Sequence, residues 1–298
     1  MSATSSETAS SQADLAQHDL GSPGLTAKRD RLVAFLADLK RVVVAYSGGV
    51  DSVVVAKAAQ VALADAALAA TGVSSSLASG ELDDARRLAE LIGIRHEIIT
   101  TQEFAEPAYL ANAPDRCYHC KTELYTRLEE LLARFPNAVI VNGANLDDQG
   151  DYRPGMAAAR EHRVRSPLLE CGLTKDDVRR LAAHWELPVW DKPASPCLSS
   201  RIAYGEEVTP ERVAMIDRAE QFLRSLGLRE LRVRYHKGDL ARLEVPADAI
   251  ARLAEPALRR EIADQLRALG FKFVTLDLEG FRSGSLNQLL SIDPPPGR

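Results

Sequence analysis

Val42-Val43-Val44-Ala45-Tyr46-Ser47-Gly48-Gly49-Val50-Asp51-Ser52 is the stretch from which the fold is read. The β-branched run Val42 to Val44 predicts a strand buried on both faces, as in a parallel sheet. Gly48-Gly49 ends it with backbone that can turn sharply and approach a ligand closely. Asp51-Ser52 then opens Val53-Val54-Val55-Ala56-Lys57-Ala58-Ala59, which continues as a helix. A strand, a glycine turn and a helix N-terminus aim N–H groups and a positive dipole end at one point. That is an anion site, and phosphate is its commonest occupant. The spacing is neither the GxxxxGK[ST] of a Walker A loop nor the GxGxxG of a dinucleotide fingerprint.

Outward from this turn, strands and helices alternate. Leu32, Phe35 and Leu36 predict a helix over Leu25 to Asp38. A helix is expected from Ser52 to about Ala70, and a second strand over Gly72 to Leu77. Leu82, Ala85, Leu88, Ala89 and Ile92 share one face of a helix from Glu81 to Leu91, stopped by Gly93. Arg95 to Thr100 reads as a strand, Lys121 to Arg134 as a helix and Ala138 to Val141 as a buried strand. This alternation predicts an α/β class with a doubly wound, mostly parallel sheet. Ligands of such sheets sit beyond the carboxyl ends of the strands, where Ser47, Gly48, Gly49, Asp51 and Ser52 lie.

The loop Asn142 to Gly155 leaves the same sheet edge and carries Asp147, Asp148, Asp151 and Arg153, suited to Mg²⁺ and a nucleotide. Taken alone it reads better as a solvated polar loop. Thr174 is placed to cap a helix reaching Trp185, with Asp177 three residues on. Pro188, Pro193 and Pro196 forbid regular structure before Cys197, which is therefore expected on a stiff, irregular loop. After Gly205 the text changes to a helix over Pro210 to Leu226 and a strand over Leu231 to Tyr235, with Arg232 and Arg234 on one face. Ala241 to Val245, a helix over Pro256 to Leu269 and Phe271 to Leu276 follow. The organisation expected is a disordered tail (1–24), an α/β domain (25–205) and a smaller C-terminal α+β domain (206–298).

The chain has 298 residues, 46% hydrophobic and 27% charged, with a net charge of −5. This balance argues against electrostatically driven nucleic-acid binding. No apolar run approaches a membrane span, and the Ser- and Ala-rich start lacks the apolar core of a signal peptide. The four cysteines, Cys117, Cys120, Cys171 and Cys197, do not make a disulfide framework in a chain of this size, and cytoplasmic thiols are expected. Cys117-Tyr118-His119-Cys120 is a CxxC expected just before a helix. It could be a zinc knuckle, a redox dithiol, a pair of iron–sulfur ligands or two unrelated thiols.

Ser47 to Ser52 resembles the pyrophosphate loop of the ATP-pyrophosphatase (PP-loop) superfamily, of the adenine nucleotide alpha-hydrolase-like fold. Arg116-Cys-Tyr-His-Cys-Lys121, Asn145 to Gly155, Trp190 to Arg201, Arg232-Val-Arg234 and Asp277 to Asn287 narrow the likeness. Together these stretches resemble the ATP-dependent sacrificial sulfur transferases of nickel-pincer nucleotide cofactor synthesis, the LarE family. The resemblance implies a soluble homo-oligomer, hexamer-like, acting on a small-molecule nucleotide without nucleic acid or membrane. ATP and Mg²⁺ would adenylate a carboxylate of pyridinium-3,5-dicarboxylate mononucleotide, and sulfur would then displace AMP. It further implies that Cys197 is the catalytic sulfur residue. With Cys117 and Cys120 it would hold a [4Fe–4S] cluster; family members with the single cysteine give up its own sulfur instead. Ser200, Arg201, Glu220, Arg232 and Arg234 match family site positions, whereas Cys171 matches none. A PP-loop tRNA thiolase shares a CxxC and a third cysteine, but the acidic balance and the lack of an RNA-binding appendage count against it.

Overall fold

The computed structural model describes residues 23–150, 154–193 and 195–282. These fall into two compact units. The first holds residues 23–73, Gly80–Thr101 and Lys121–Ser195; the second holds Ser74–Ser79, Gln102–Cys120 and residues 196–282.

The first unit is built on four parallel strands, β1 (Val42–Ala45), β2 (Ala67–Val73), β3 (Arg95–Thr100) and β4 (Val139–Val141), in the order β3-β2-β1-β4. The all-parallel sheet is the one the sequence predicts. Helix α1 (Pro23–Asp38) precedes β1, α2 (Val50–Leu63) follows it, and α3 (Glu81–Ile92) joins β2 to β3. Val42, Val43, Val44, Val53, Val54 and Val55 are fully buried, so β1 and the start of α2 form the middle of this core. The chain steps from β1 to β2 and β3 on one side and then to β4 on the other. The crevice between the β1 and β4 loops is thus the topological switch point at which such sheets bind ligands.

Two expectations are corrected here. The helix expected to run to Ala70 stops at Leu63, because Ala64 takes φ +46° and reverses the chain. The second strand is therefore Ala67–Val73 rather than Gly72 to Leu77. Alanine is the best helix former, and Ala67, Ala69 and Ala70 are strand residues only because β1 pairs with all three and β3 with Ala69 and Ala70. The CxxC also lies inside a helix rather than before one. Helix α4 (Arg116–Leu132) starts at Arg116, so Cys117 and Cys120 are its second and fifth residues. Helix α5 (Lys175–His184) forms as predicted, with Thr174 and Asp177 closing a capping box.

The second unit has helix α6 (Pro210–Ser225), strands β5 (Arg232–His236), β6 (Leu240–Glu244) and β7 (Phe273–Leu276), and helix α7 (Pro256–Ala268). β5 and β6 are antiparallel and β6 and β7 parallel, a small mixed sheet. Val233, Tyr235, Ala241 and Leu243 turn one face of it into the apolar core, with Ile216, Leu223 and Leu266. The period-2 alternation of a strand then forces Arg232, Arg234 and His236 onto the opposite face. Residues 1–22 of the expected tail and the stretch from Ser283 to Asn287 lie outside the described residues. Among the described residues no helix is long and apolar enough to cross a membrane.

Candidate active site

The phosphate turn is fixed by its own serines. The Ser47 amide donates to Ser52 Oγ at 3.2 Å, the Gly49 amide donates to Ser47 Oγ at 3.3 Å, and Ser52 Oγ donates to the Gly49 carbonyl at 3.0 Å. Gly48 takes φ +74°, and a Cβ there would meet the Cα of Ala85 at 3.2 Å. Only glycine suits that conformation and that gap. From β4, Gly143 comes so close that a Cβ would lie 2.9 Å from the Ser52 nitrogen. The two loops of the switch point thus touch backbone to backbone.

Asp51, in the first turn of α2, accepts from Asn145 Nδ2 at 3.0 Å and forms an ion pair with Lys175. Neither partner stands out in the sequence as a site residue. Lys175 was hidden because it is the first residue of a well-capped helix, where a lysine reads as solvated surface. The aspartates of the β4 loop have local work to do. Asp148 accepts from the Asn145 amide at 2.9 Å and Asp147 from the Lys175 amide at 2.8 Å. Asp151 and Arg153 lie outside the described residues. The arrangement offers an anion cradle at the α2 N-terminus, a carboxylate at its lip and a cation, Lys175, beside that carboxylate. Asp51 and Asp148 are of the donor type that Mg²⁺ prefers.

The second centre is in the other unit and is made of three segments distant in sequence. Cys117 is exposed, while Cys120 and Cys197 are half-buried. Arg201 and Glu220 are fully buried and paired twice, at 3.0 and 3.2 Å. Arg201 also donates to the carbonyls of Pro196 and Cys197, the latter at 3.1 Å. Glu220 further accepts from the Val233 amide and from Arg224. Burial pushes the Glu220 carboxyl up, but the Arg201 charge and these hydrogen bonds outweigh it and hold it below its ordinary value. Arg234 bonds Glu244 at 2.9 Å and the Ser200 carbonyl at 3.0 Å. Thus Arg201 and Arg234 grip the Cys197 loop by its backbone, at Cys197 and Ser200.

Arg232 stands over the Phe281 ring at 5.1 Å. Burial, then the Arg201 charge, pull its guanidinium down to about 10 against the opposing pull of Glu220. Such a crowd of partly desolvated guanidiniums gains most from an anionic partner with several oxygens, such as a phosphate. Arg116, which the sequence reading did not single out, is buried and donates to Asn112 and, at 2.8 Å, to the Ser199 carbonyl. Burial lowers its proton affinity, but Cys197, Cys117 and the Tyr109 and Tyr204 hydroxyls outweigh this and the net shift is upward. Tyr109 meets Ser199 Oγ at 2.7 Å. Burial raises its phenol, with Cys197, Cys120 and Glu103 adding to the rise. The donor type of Cys117, Cys120 and Cys197 suits iron or zinc. Among the described residues, however, no three of His, Cys, Asp or Glu are gathered closely enough to hold a metal ion. Cys171, buried in the core of the first unit, takes no part in this centre.

Residues 32–131 match the NAD synthase family model. Over 267 residues the chain is 46% identical to an uncharacterised protein of Synechocystis, covering 90% of this chain and 99% of that one. It is 40% identical over 268 residues to the pyridinium-3,5-bisthiocarboxylic acid mononucleotide synthase of Lactiplantibacillus plantarum, covering 90% of this chain and 96% of that enzyme. The chain belongs to that synthase family, LarE. A LarE-family enzyme with a PP-loop domain is ATP-dependent, which matches the anion cradle at Ser47 to Ser52. A tRNA-specific 2-thiouridylase of Azorhizobium caulinodans is 31% identical over 194 residues, covering 52% of this chain and 49% of that one.

Proposed function

We propose that this chain is an AMP-forming sulfur transferase that converts a carboxylate of pyridinium-3,5-dicarboxylate mononucleotide into a thiocarboxylate. One observation carries the reading: a cysteine loop gripped at its backbone by arginines occurs in the same chain as a phosphate turn of PP-loop form. The likeness to the Lactiplantibacillus synthase, named for a bisthiocarboxylic acid mononucleotide product, supports it.

The chemistry has two displacements. A substrate carboxylate oxygen attacks the α-phosphorus of ATP, and pyrophosphate leaves with the bonding electron pair. A sulfur nucleophile then attacks the acyl carbon, and the carbon–oxygen bond to AMP breaks. The α2 N-terminus with Gly48 and Gly49 would cradle the phosphates, Asp51 and Asp148 would hold Mg²⁺, and Lys175 would pair with the phosphate charge of bound ATP. Arg232 and Arg234 suit the phosphate of the mononucleotide. Arg201 and Glu220, too deep to reach a ligand, position Cys197 and Ser200.

For the sulfur source, Cys117, Cys120 and Cys197 would be the ligands of a [4Fe–4S] cluster, which would supply sulfide at its open iron. Cys197 as a sacrificial donor is the alternative, and chain mass separates the two. One turnover by sacrifice leaves Cys197 as dehydroalanine and the chain lighter by H₂S, whereas a cluster donor leaves the mass unchanged.

The test of the whole reading is pyrophosphate release from ATP with the pyridinium nucleotide, with tRNA and with neither. Release is expected with the pyridinium nucleotide alone. Release that requires tRNA would replace this function with a thiouridylase.

A further inference from the structure

One buried carboxylate of the second unit has no place in the chemistry above. Glu103 is 3% exposed. Its Oε1 accepts from Ser74 Oγ and, at 3.1 Å, from Ser76 Oγ. The two serine oxygens lie 2.9 Å apart, and the Ser76 amide donates to Ser74 Oγ at 3.1 Å. Its Oε2 is buried and has no hydrogen-bond partner among the described residues. Among the described residues no lysine, arginine or histidine is paired with it, in contrast to Glu220 and Glu244, each bound by arginines. A buried carboxylate kept only as glue is saturated with donors. One left half-satisfied costs stability and calls for an explanation.

Its surroundings supply one. The carbonyl of Ser76 accepts the Leu198 amide at 3.0 Å, so the turn that Glu103 secures holds the residue directly after Cys197. Tyr109 is bonded to Ser199 on the same loop at 2.7 Å. Phe104, the next residue after Glu103, packs edge-on against that ring at 5.2 Å.

We propose that Glu103 is a positioning residue of the sulfur centre with two duties. Oε1 locks the Ser74–Ser76 turn and through it the Cys197 loop, while Oε2 is an acceptor held open for a hydrogen-bond donor, hydroxyl or thiol, presented beside that loop. The second duty rests on the sulfur-transferase reading; the first does not.

Two substitutions separate them. E103Q keeps an acceptor for the two serines but replaces the open acceptor by a donor. E103A removes both. Alkylation of Cys197 by iodoacetamide in the reduced, full-length, substrate-free chain, followed by peptide mass, reads the loop. Pyrophosphate release and thiocarboxylate formation read the two displacements separately. E103Q is expected to leave Cys197 alkylation and pyrophosphate release at the wild-type level and to slow thiocarboxylate formation about tenfold, the effect of losing a hydrogen bond to a charged acceptor. E103A is expected to change the alkylation rate about tenfold as well, again with pyrophosphate release retained. If E103A does not fold, S76A, which removes one of the two donors to Oε1, is expected to shift alkylation in the same direction. Unchanged alkylation in E103A, or in S76A in its place, overturns the first duty. Wild-type thiocarboxylate formation by E103Q overturns the second. If the wild-type chain releases no pyrophosphate with the pyridinium nucleotide, it is the function reading that has failed, and alkylation still decides the first duty.

Discussion

The phosphate turn and the cysteine loop are built in opposite ways. The turn lies within eleven residues of one strand and one helix, and its hydrogen bonds span two to five positions. The cysteine loop is held from Ser76, Arg116, Glu220 and Arg234, at sequence separations of up to 122 residues for the Leu198–Ser76 bond. A site made of neighbours survives as a spelling in the sequence; a site made of strangers does not. The two should also fail differently. Damage at the turn should remove chemistry and spare the fold, because Asp51 and Lys175 are both partly exposed. Damage at the loop should strike stability and chemistry together, because its supports are buried.

The largest effect expected is on chemistry at the turn. Asp51→Ala should lower pyrophosphate release by about a hundredfold or more, as loss of a charge-stabilising group does. Its melting temperature should stay close to wild type, since partly exposed ion pairs contribute little to stability. Near-normal release in a well-folded Asp51→Ala protein would take the anion cradle out of the mechanism. A large drop in melting temperature would erase the contrast between the two regions.

Glu220→Ala tests the other side. It strands Arg201 as a buried, uncompensated charge and frees the Val233 amide. Breaking such a pair costs about 3–5 kcal/mol, so the urea midpoint should fall and sulfur transfer with it. The pH sign follows from the depressed Glu220 carboxyl. Its contribution is complete above the ordinary value of 4.5 and is lost as pH falls below it. The stability difference between wild type and Glu220→Ala should accordingly shrink on acidification below that point. A difference constant from neutrality down to strong acid would show that the pair is not what holds the loop.

Much of the first region is legible in the sequence. Val42 to Val44, Gly48 and Gly93 behave as their residue types dictate, whereas Gly49 takes an ordinary φ of −79°, and the parallel sheet follows. The strand Ala67–Val73 was misread because its alanines favour a helix and nothing local reports the strands on either side. Lys175 and Asn145 escaped because each becomes a site residue only through Asp51, more than ninety positions away. In the second region Arg232 and Arg234 could be placed on one strand face by period alone. The burial of Arg201 and Glu220, and the presence of Arg116 and Glu103 at the cysteine loop, depend on segments that no spacing rule joins.

Lys175→Met sharpens the account of the turn with a smaller effect. Without the ammonium, Asp51 keeps Asn145, and the phosphates of ATP lose one cation. The KM for ATP should rise about tenfold, as for one charge-assisted hydrogen bond, with stability almost unchanged. A fall in kcat at constant KM would assign Lys175 to the leaving group in the transition state rather than to ATP binding.

The smallest effect expected comes from a residue that serves the turn only through the helix it caps. Thr174 Oγ1 accepts from the Asp177 amide at 3.2 Å, and Asp177 returns a carboxylate oxygen to the Thr174 amide at 2.9 Å. Lys28 also pairs with that carboxylate. Burial raises Asp177, but the Lys28 bond and the cap outweigh it and hold it below its ordinary value. Thr174→Ala removes one side of this box and should cost about 1 kcal/mol, read as a small drop in the urea midpoint with an unchanged slope. Because Lys175 is the first residue of α5, fraying of this end would also loosen the ammonium from Asp51. The KM for ATP should then rise by less than in Lys175→Met, and Thr174→Ser, which retains the cap oxygen, should restore both quantities. If Thr174→Ala lowers stability while the KM for ATP stays at the wild-type value, the cap holds the helix alone, and Lys175 is placed by its pairing with Asp51.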